Sequence, residues 1–420
     1  MNDWTAERLT RAALGSLLSF CTAPVLRIVA QFGPDEAWER IRNGHTGDGP
    51  GQAGAMLPGV GGCEPAASPN WRDVRGPGGQ AFAAWAAQVD PARVAERTDS
   101  LGLRFIIPGD AEWPPDLAGL GDCAVNQMGG FPVGLWVVGP GDLAQWSRSS
   151  VAMVGSRSAT RYGESVALRF ASELATSEDG GWTVISGGAF GIDAASHRGA
   201  LLAGGPTVAV CANGLDKPYP PGNAALIESI RVGGLLVSEL PPGSSPNKAG
   251  FLQRNRIIAA LSQGTVVIEA ALRSGARNTA SWANALGRTV MAVPGPVTSA
   301  MSVTPHNLIR DGEASLVATS DDVRTLLAPM GRGPVVAVTG QVRPGEDLSA
   351  AAMAVREALP GRGALSLSEV ALISGESVPR CLQALHELAT NGLAARNEDG
   401  YWRLQRPGPN TPDALTTLLL

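Results

Sequence analysis

The chain reads as an α/β protein built on a doubly wound, mostly parallel sheet, and three observations predict it. Short β-branched or apolar runs recur at 151–154, 183–186, 207–211, 235–238, 265–269 and 289–293. Stretches with a helical apolar period separate them, the alternation expected of parallel strands joined by helical crossovers. The runs are apolar along their whole length, as strands covered on both faces are. With 420 residues, the chain also exceeds the size of one growing core, so further domains should flank the sheet.

The flanks are read in chain order. Over 5–43 the apolar positions Leu9, Leu14, Leu17, Leu18, Val25, Ile28 and Val29 keep a helical period, with a turn at Gly33-Pro34. The segment 44–79 turns rich in Gly, Pro and Ala and loses periodicity, which predicts a long loop or linker, and a short helix follows over about 81–98. Together these give an N-terminal helical domain over 1–105, of SAM or helix-hairpin-helix type, with an insertion at 44–79, and then a sheet domain over 106–325. A Pro/Gly/Val linker covers 326–347. Helices at about 352–359, 367–374 and 378–391, then a hairpin over 393–404 turning at Asp399-Gly400, predict a winged helix over 348–406, with a tail at 407–420.

Charge and composition exclude several functions. A net charge of −5 rules out coating nucleic acid through a general basic field, so any such site must be local. Five cysteines, odd in number and far apart, suit neither a disulfide framework nor a metal cluster, and fit a reducing, cytoplasmic setting. The four histidines have no paired ligand spacing, so no metal is expected, and without a Gly-x-Gly-x-x-Gly turn, with the next strand ending at Cys211 rather than an acid, no cofactor is expected either. The apolar stretch 12–29 is broken by Arg27 and preceded by Asp3 and Glu7, unlike a signal peptide, and no other stretch reaches membrane-spanning length without a charge.

Chemistry should sit where the strands end, since open α/β sheets bind ligands beyond the carboxyl ends of their strands. The first run ends in Gly155-Ser156-Arg157, the second in Ser186-Gly187-Gly188-Ala189-Phe190-Gly191-Ile192-Asp193 leading into a helix. Glycines at a helix start let backbone N–H groups approach a phosphate, and an arginine beside them is a bidentate phosphate ligand. A third station, Asn213 to Pro220, offers Lys217 and Tyr219. A fourth, from Phe251 through Arg254-Asn255-Arg256 to Ala259, puts two arginines at the start of an apolar helix. The fifth, Ser274 to Ala280, offers hydroxyls and amides, although Asn278 and Thr279 could equally cap a helix.

In their order, these stations resemble the DprA (Smf) family, joined by Ser238-Glu239 with Pro241 and Gly243, and by Val293-Pro294-Gly295. The resemblance is specific over about 110–325. It implies a Rossmann-like domain that binds single-stranded DNA, a homodimer, and loading of the recombinase RecA during natural transformation and recombination, with no bond chemistry and so no catalytic residue. The candidate DNA-binding set is Gly155, Ser156, Arg157, Ser186, Gly187, Gly188, Gly191, Lys217, Phe251, Arg254, Asn255, Arg256, Ser274 and Thr279. Two departures stand out. Leu252 takes the place of a family proline after Phe251, which predicts a looser turn before the helix, and Thr304 stands where a glycine is usual.

The rival reading is an enzyme, because LOG-type nucleoside-monophosphate phosphoribohydrolases share this kind of sheet. Their Pro-Gly-Gly-x-Gly-Thr turn and catalytic glutamate have no match here, where Glu269-Ala-Ala-Leu-Arg-Ser-Gly runs instead and Glu269 alone could serve as a base. Over 356–403, Arg356, Arg362, Arg380, Arg396 and Arg403 face Glu357, Glu369, Glu376, Glu387, Glu398 and Asp399, so the winged helix is read as a partner or accessory module rather than a duplex reader.

Overall fold

A computed structural model describes residues 2–43, 83–126, 128–176, 181–328 and 348–405. The insertion expected at 44–79, most of the 326–347 linker and the 407–420 tail lie outside them. The chain divides into two compact units, Met1–Val335 and Val336–Leu420.

The first unit opens with α1 (Ala6–Phe32), capped by the Thr5 hydroxyl and ended at Gly33, whose φ of +77° suits only glycine. Then come α2 (Pro34–Arg42), α3 (Pro91–Ser100), β1 (Arg104–Ile106), a hairpin of β2 (Ala124–Val125) and β3 (Met128–Gly129), and β4 (Leu135–Val138). After the short α4 (Leu143–Ser147), strands and helices alternate. They are β5 (Ser150–Val154), α5 (Arg161–Ala175), β6 (Thr183–Ser186), α6 (Ile192–Leu202), β7 (Thr207–Cys211), α7 (Ala224–Gly233), β8 (Leu235–Ser238), α8 (Lys248–Leu261), β9 (Gly264–Val267), α9 (Gly275–Ala285) and β10 (Thr289–Ala292). α10 (Val303–Arg310), β11 (Ser315–Leu316) and α11 (Ser320–Leu327) complete the unit.

Nine strands form one sheet in the order β1-β4-β8-β7-β6-β5-β9-β10-β11. From β8 to β11 neighbours run parallel, and β4 and β1 extend that edge antiparallel. Side chains along a strand alternate between faces. Ala152, Val154 and Val267 pack with Ile257, Ile258 and Trp282 on one side, whereas Val151, Met153 and Val266 pack with Phe170, Leu174 and Ile192 on the other. Both faces are therefore dry, which is why the central runs carry no polar alternation. The N-terminal helices share this packing. Gly15 of α1 leaves room for the Trp136 ring, the Trp136 indole N–H donates to Thr98 of α3, and Arg8 pairs with Asp110.

The second unit holds α12 (Ala350–Ala358), α13 (Leu367–Ser374), α14 (Val378–Thr390) and an antiparallel hairpin of β12 (Ala394–Arg396) and β13 (Trp402–Leu404). Its own core gathers Val355, Val370, Leu385, Leu388 and Trp402. A capping box at Ser366 and Glu369 starts α13, and Gly375 ends it in the left-handed region.

Candidate nucleic-acid interface

From β5 the chain winds through β6, β7 and β8 to one side of the sheet, then crosses by α8 to β9 and β10 on the other. The strand order thus reverses between β5 and β9, where a doubly wound sheet opens a crevice at its carboxyl edge. A cleft of about 500 Å³ lies there, lined by Gly155 to Ser158 after β5, Ala189 and Asp193 after β6, one side of α8, and Ala271 and Arg273 to Ala276 after β9.

Arg157 is exposed and, among the described residues, pairs with no carboxylate. Its guanidinium carbon lies 4.7 Å from the centre of the Phe251 ring, itself 5.8 Å from the ring of Tyr219. Arg157 and Phe251 border both the main cleft and a smaller pocket of about 60 Å³ walled by Phe190, Tyr219, Asn213 and Cys211. Burial pushes the Cys211 thiol up to about 11 against the opposing pull of Arg254, so it stays protonated at neutral pH. Two exposed cations, Lys248 and Arg273, complete the main cleft's rim. Sequence reasoning missed both as site residues. Lys248 could have been found as the neighbour of Phe251 one helical turn earlier, once the helix start is set by the Asn247 cap.

The turn after β6 is closed. The Gly187 and Ala189 N–H groups, expected to cradle a phosphate, both donate to Oδ2 of Asp193, at 3.2 and 3.3 Å. The first N–H of α6, at Ile192, donates to the Ser156 carbonyl. Burial raises the Asp193 carboxyl, while Arg254 and the two amides oppose the rise. Arg254 supports the turn from beneath, donating to the carbonyls of Gly187 at 2.8 Å and of Val210. A side chain at Gly187 would approach that guanidinium to 2.5–2.7 Å and push Arg254 from the carbonyls it holds.

The polar run of α8 lies inside the protein. Gln253 donates to the Gly129 carbonyl, Arg254 reaches the β6 turn, and Asn255 reaches Asn278 of α9 at 3.2 Å. Arg256 has no exposure and makes two bonds to the Glu239 carboxylate, at 2.6 and 2.7 Å. Burial raises Glu239, with Arg256 opposing. One turn of helix therefore ties the β2–β3 hairpin, the β6 turn, α9 and the end of β8 together.

Of the candidate set, the main cleft brings together Gly155, Ser156, Arg157, Phe251, Arg254, Asn255, Ser274 and Thr279, and Gly187 borders the smaller pocket. Five residues do not reach either. The Ser186 hydroxyl is buried against the Met153 carbonyl, and Gly188 lies against Ile227. Gly191 is pressed on the Ser156 carbonyl, Arg256 is committed to Glu239, and Lys217 stands on the exposed β7 turn. Phe251 and Leu252 lie within α8, so no looser turn precedes the helix there. Thr304 adopts helical backbone at the start of α10 and donates its hydroxyl to the Ala271 carbonyl, so that position needs no glycine conformation.

Glu269 has a structural task. Its carboxylate accepts the Thr160 N–H at 2.8 Å and the Thr160 hydroxyl at 2.6 Å, anchoring the residue that caps α5. Among the described residues no cluster of His, Cys, Asp or Glu could hold a metal ion, and no helix is long and apolar enough to cross a membrane.

Known proteins resemble this chain in sequence and in fold. A family model described as DNA recombination-mediator protein A matches residues 104–328. A DprA homologue of Mycobacterium tuberculosis is 46% identical over 314 residues, 73% of this chain and 78% of its own. Protein Smf of Escherichia coli is 36% identical over 303 residues, 72% of this chain and 78% of its own. The crystal structure of DNA processing protein A from Streptococcus pneumoniae superposes with a TM-score of 0.56 at 28% identity, covering 76% of this chain and 97% of that one.

Proposed function

Because the chain belongs to the DNA recombination-mediator protein A family, that of DprA and Smf, we propose that it binds single-stranded DNA in the β5–β9 cleft and performs no bond chemistry. The observation that carries this reading is Arg157 seated on Phe251 at the border of two pockets. A guanidinium there meets a backbone phosphate while the aromatic pocket beside it takes an unpaired base, the division of labour by which single strands are held. In a duplex those bases face their partners, so single strands are favoured.

The binding set is then Arg157, Phe251, Lys248 and Arg273 at the rim, with Ser156, Asn255, Ser274 and Thr279 lining the cleft. The same reading makes the protein a cytoplasmic homodimer that passes its strand to a RecA-type recombinase in recombination or natural transformation, with the second unit a winged-helix accessory module. Glu269, already held by Thr160, is not free to act as the base of a phosphoribohydrolase.

The test is fluorescence anisotropy of a labelled oligothymidylate with the full chain, competed by unlabelled duplex of equal length. Binding that duplex abolishes as well as single strands do would overturn the preference. Incubation with nucleoside monophosphates checks the enzymatic rival, since free base released by the protein but not by its Glu269→Gln variant would replace binder with hydrolase.

A further inference from the structure

The closed turn after β6 has the form of an anion site whose anion is part of the chain. Two amide hydrogens converge on one oxygen, Asp193 Oδ2, at 3.2 and 3.3 Å. The carboxylate sits in the first turn of α6, where the helix dipole favours negative charge, and is almost wholly buried. Gly187 is held from both sides, its N–H by Asp193 and its C=O by Arg254. These are the groups that sheets of this type turn toward the phosphate of a small nucleotide.

We propose that Asp193 is a specificity-determining residue, a built-in anion that closes the β6 turn to inorganic phosphate and nucleoside monophosphates and leaves only the Arg157, Lys248 and Arg273 rim to hold a nucleic-acid backbone. This rests on the single-stranded DNA reading for what the rim holds, but not for what Asp193 excludes. A free monophosphate bearing two charges would have to displace a carboxylate tethered at the same amides. A phosphodiester need only lie along the rim, outside the turn.

Replacing Asp193 separates this from a purely structural role. Asp193→Ser removes the carboxylate and its charge, and its hydroxyl, one atom closer to the backbone, leaves the amides and Arg254 uncovered. Asp193→Asn keeps an oxygen that can accept both N–H groups. Thermal unfolding is followed against sodium phosphate at constant ionic strength, and equilibrium dialysis with adenosine 5′-monophosphate gives binding directly. The Ser variant should gain a saturable response to both. At tenfold over its Kd, phosphate raises that variant's folded-to-unfolded ratio about elevenfold. Wild type and the Asn variant should give no response beyond that to chloride. A Ser variant as blind to phosphate as wild type overturns the proposal, as does a wild-type chain that already binds the monophosphate with an affinity the Ser change leaves untouched. For a variant too unstable to purify in chloride, refolding in phosphate is the readout, and equal failure in both salts counts against it. Wild-type binding of oligothymidylate is measured alongside. Its absence removes the DNA reading, while the phosphate gain still decides the role of Asp193.

Discussion

The rim of the cleft and the turn of α8 behind it are both rich in cations, yet they do opposite work. Arg157, Lys248 and Arg273 are exposed, and no carboxylate among the described residues pairs with them. Arg254 and Arg256, a few residues along the same helix as Lys248, are buried and committed, one to backbone carbonyls under the β6 turn and one to Glu239. A cation facing water can trade its hydration for a phosphate. A buried one has already been desolvated, and its partner is part of the fold. The teaching is that an Arg-Asn-Arg string counts toward binding only once the burial and the partners of each arginine are known.

The comparison breaks most visibly at Arg256. Arg256→Ala leaves Glu239 charged and alone in the interior, and should lower unfolding free energy by about 3–5 kcal/mol in a urea titration. The folded fraction should keep the wild-type salt dependence of oligonucleotide binding. A variant of unchanged stability whose salt slope falls would move Arg256 from the fold to the interface.

Arg157→Ala should do the reverse, costing about 1.5–3 kcal/mol of binding, roughly tenfold to hundredfold in Kd, with little change in the urea midpoint. The slope of log affinity against log salt should shrink by about 0.7, the share of one phosphate on a single strand. An intact slope would mean that the guanidinium stacks on Phe251 without meeting the backbone.

Acid should act on the buried side alone. Burial, with Arg254 adding to it, holds His197 of α6 down at about 3 from an ordinary 6.5. The Thr207 hydroxyl gives its hydrogen to the Val184 carbonyl, so the His197 Nδ1–H must be the donor to Thr207, leaving Nε2 unprotonated and, among the described residues, without a partner. A depressed value means the unfolded chain takes the proton first. The stability is therefore present above about pH 6.5 and lost as pH falls toward 3, by up to about 1.4 kcal/mol per pH unit. The difference in urea stability between wild type and His197→Gln should narrow over that interval, and a constant difference would mean that folded His197 takes its proton as readily as the unfolded chain does.

The sequence makes the centre of this fold legible for a physical reason: strands dry on both faces must be apolar throughout, and six such runs cannot hide. The edge strands escaped because β1 is three residues long and β11 is only two exposed residues, both too short to set a period. In the site, Gly155-Ser156-Arg157 stood out because an arginine just past a strand end is placed for a phosphate, and no carboxylate among the described residues pairs with it. The β6 turn was misread because glycines at a helix start announce converging amides without saying what fills them, and the filler, Asp193, looked like an ordinary first-turn acid. The α8 error was one of burial, which helix phase does not reveal here. With Asn247 as cap, the arginines fall in the second and third turns of a helix whose run from Gln253 to Leu261 is buried on every side, where amphipathic logic has no exposed face to find.

The smallest effect marks where the interface stops. Lys217 was expected to supply a cation, but it borders neither pocket, and among the described residues its tie to the fold is through its backbone, its carbonyl accepting from Asn213 at 2.8 Å. The turn that carries it is fixed by its neighbour Asp216, which accepts from the Gly243 N–H at 2.7 Å and pairs with Arg97 at 3.0 Å. Removing the ammonium therefore leaves the turn in place and deletes only a screened surface charge. Lys217→Ala should change oligonucleotide affinity by less than about 0.5 kcal/mol and leave the salt slope within error of wild type. A slope lowered by about 0.7, as expected for Arg157, would instead mean that the strand continues from the aromatic pocket across Tyr219 and over the β7 turn. The bound segment would then be longer than the cleft alone, and the rim would have a fourth cation.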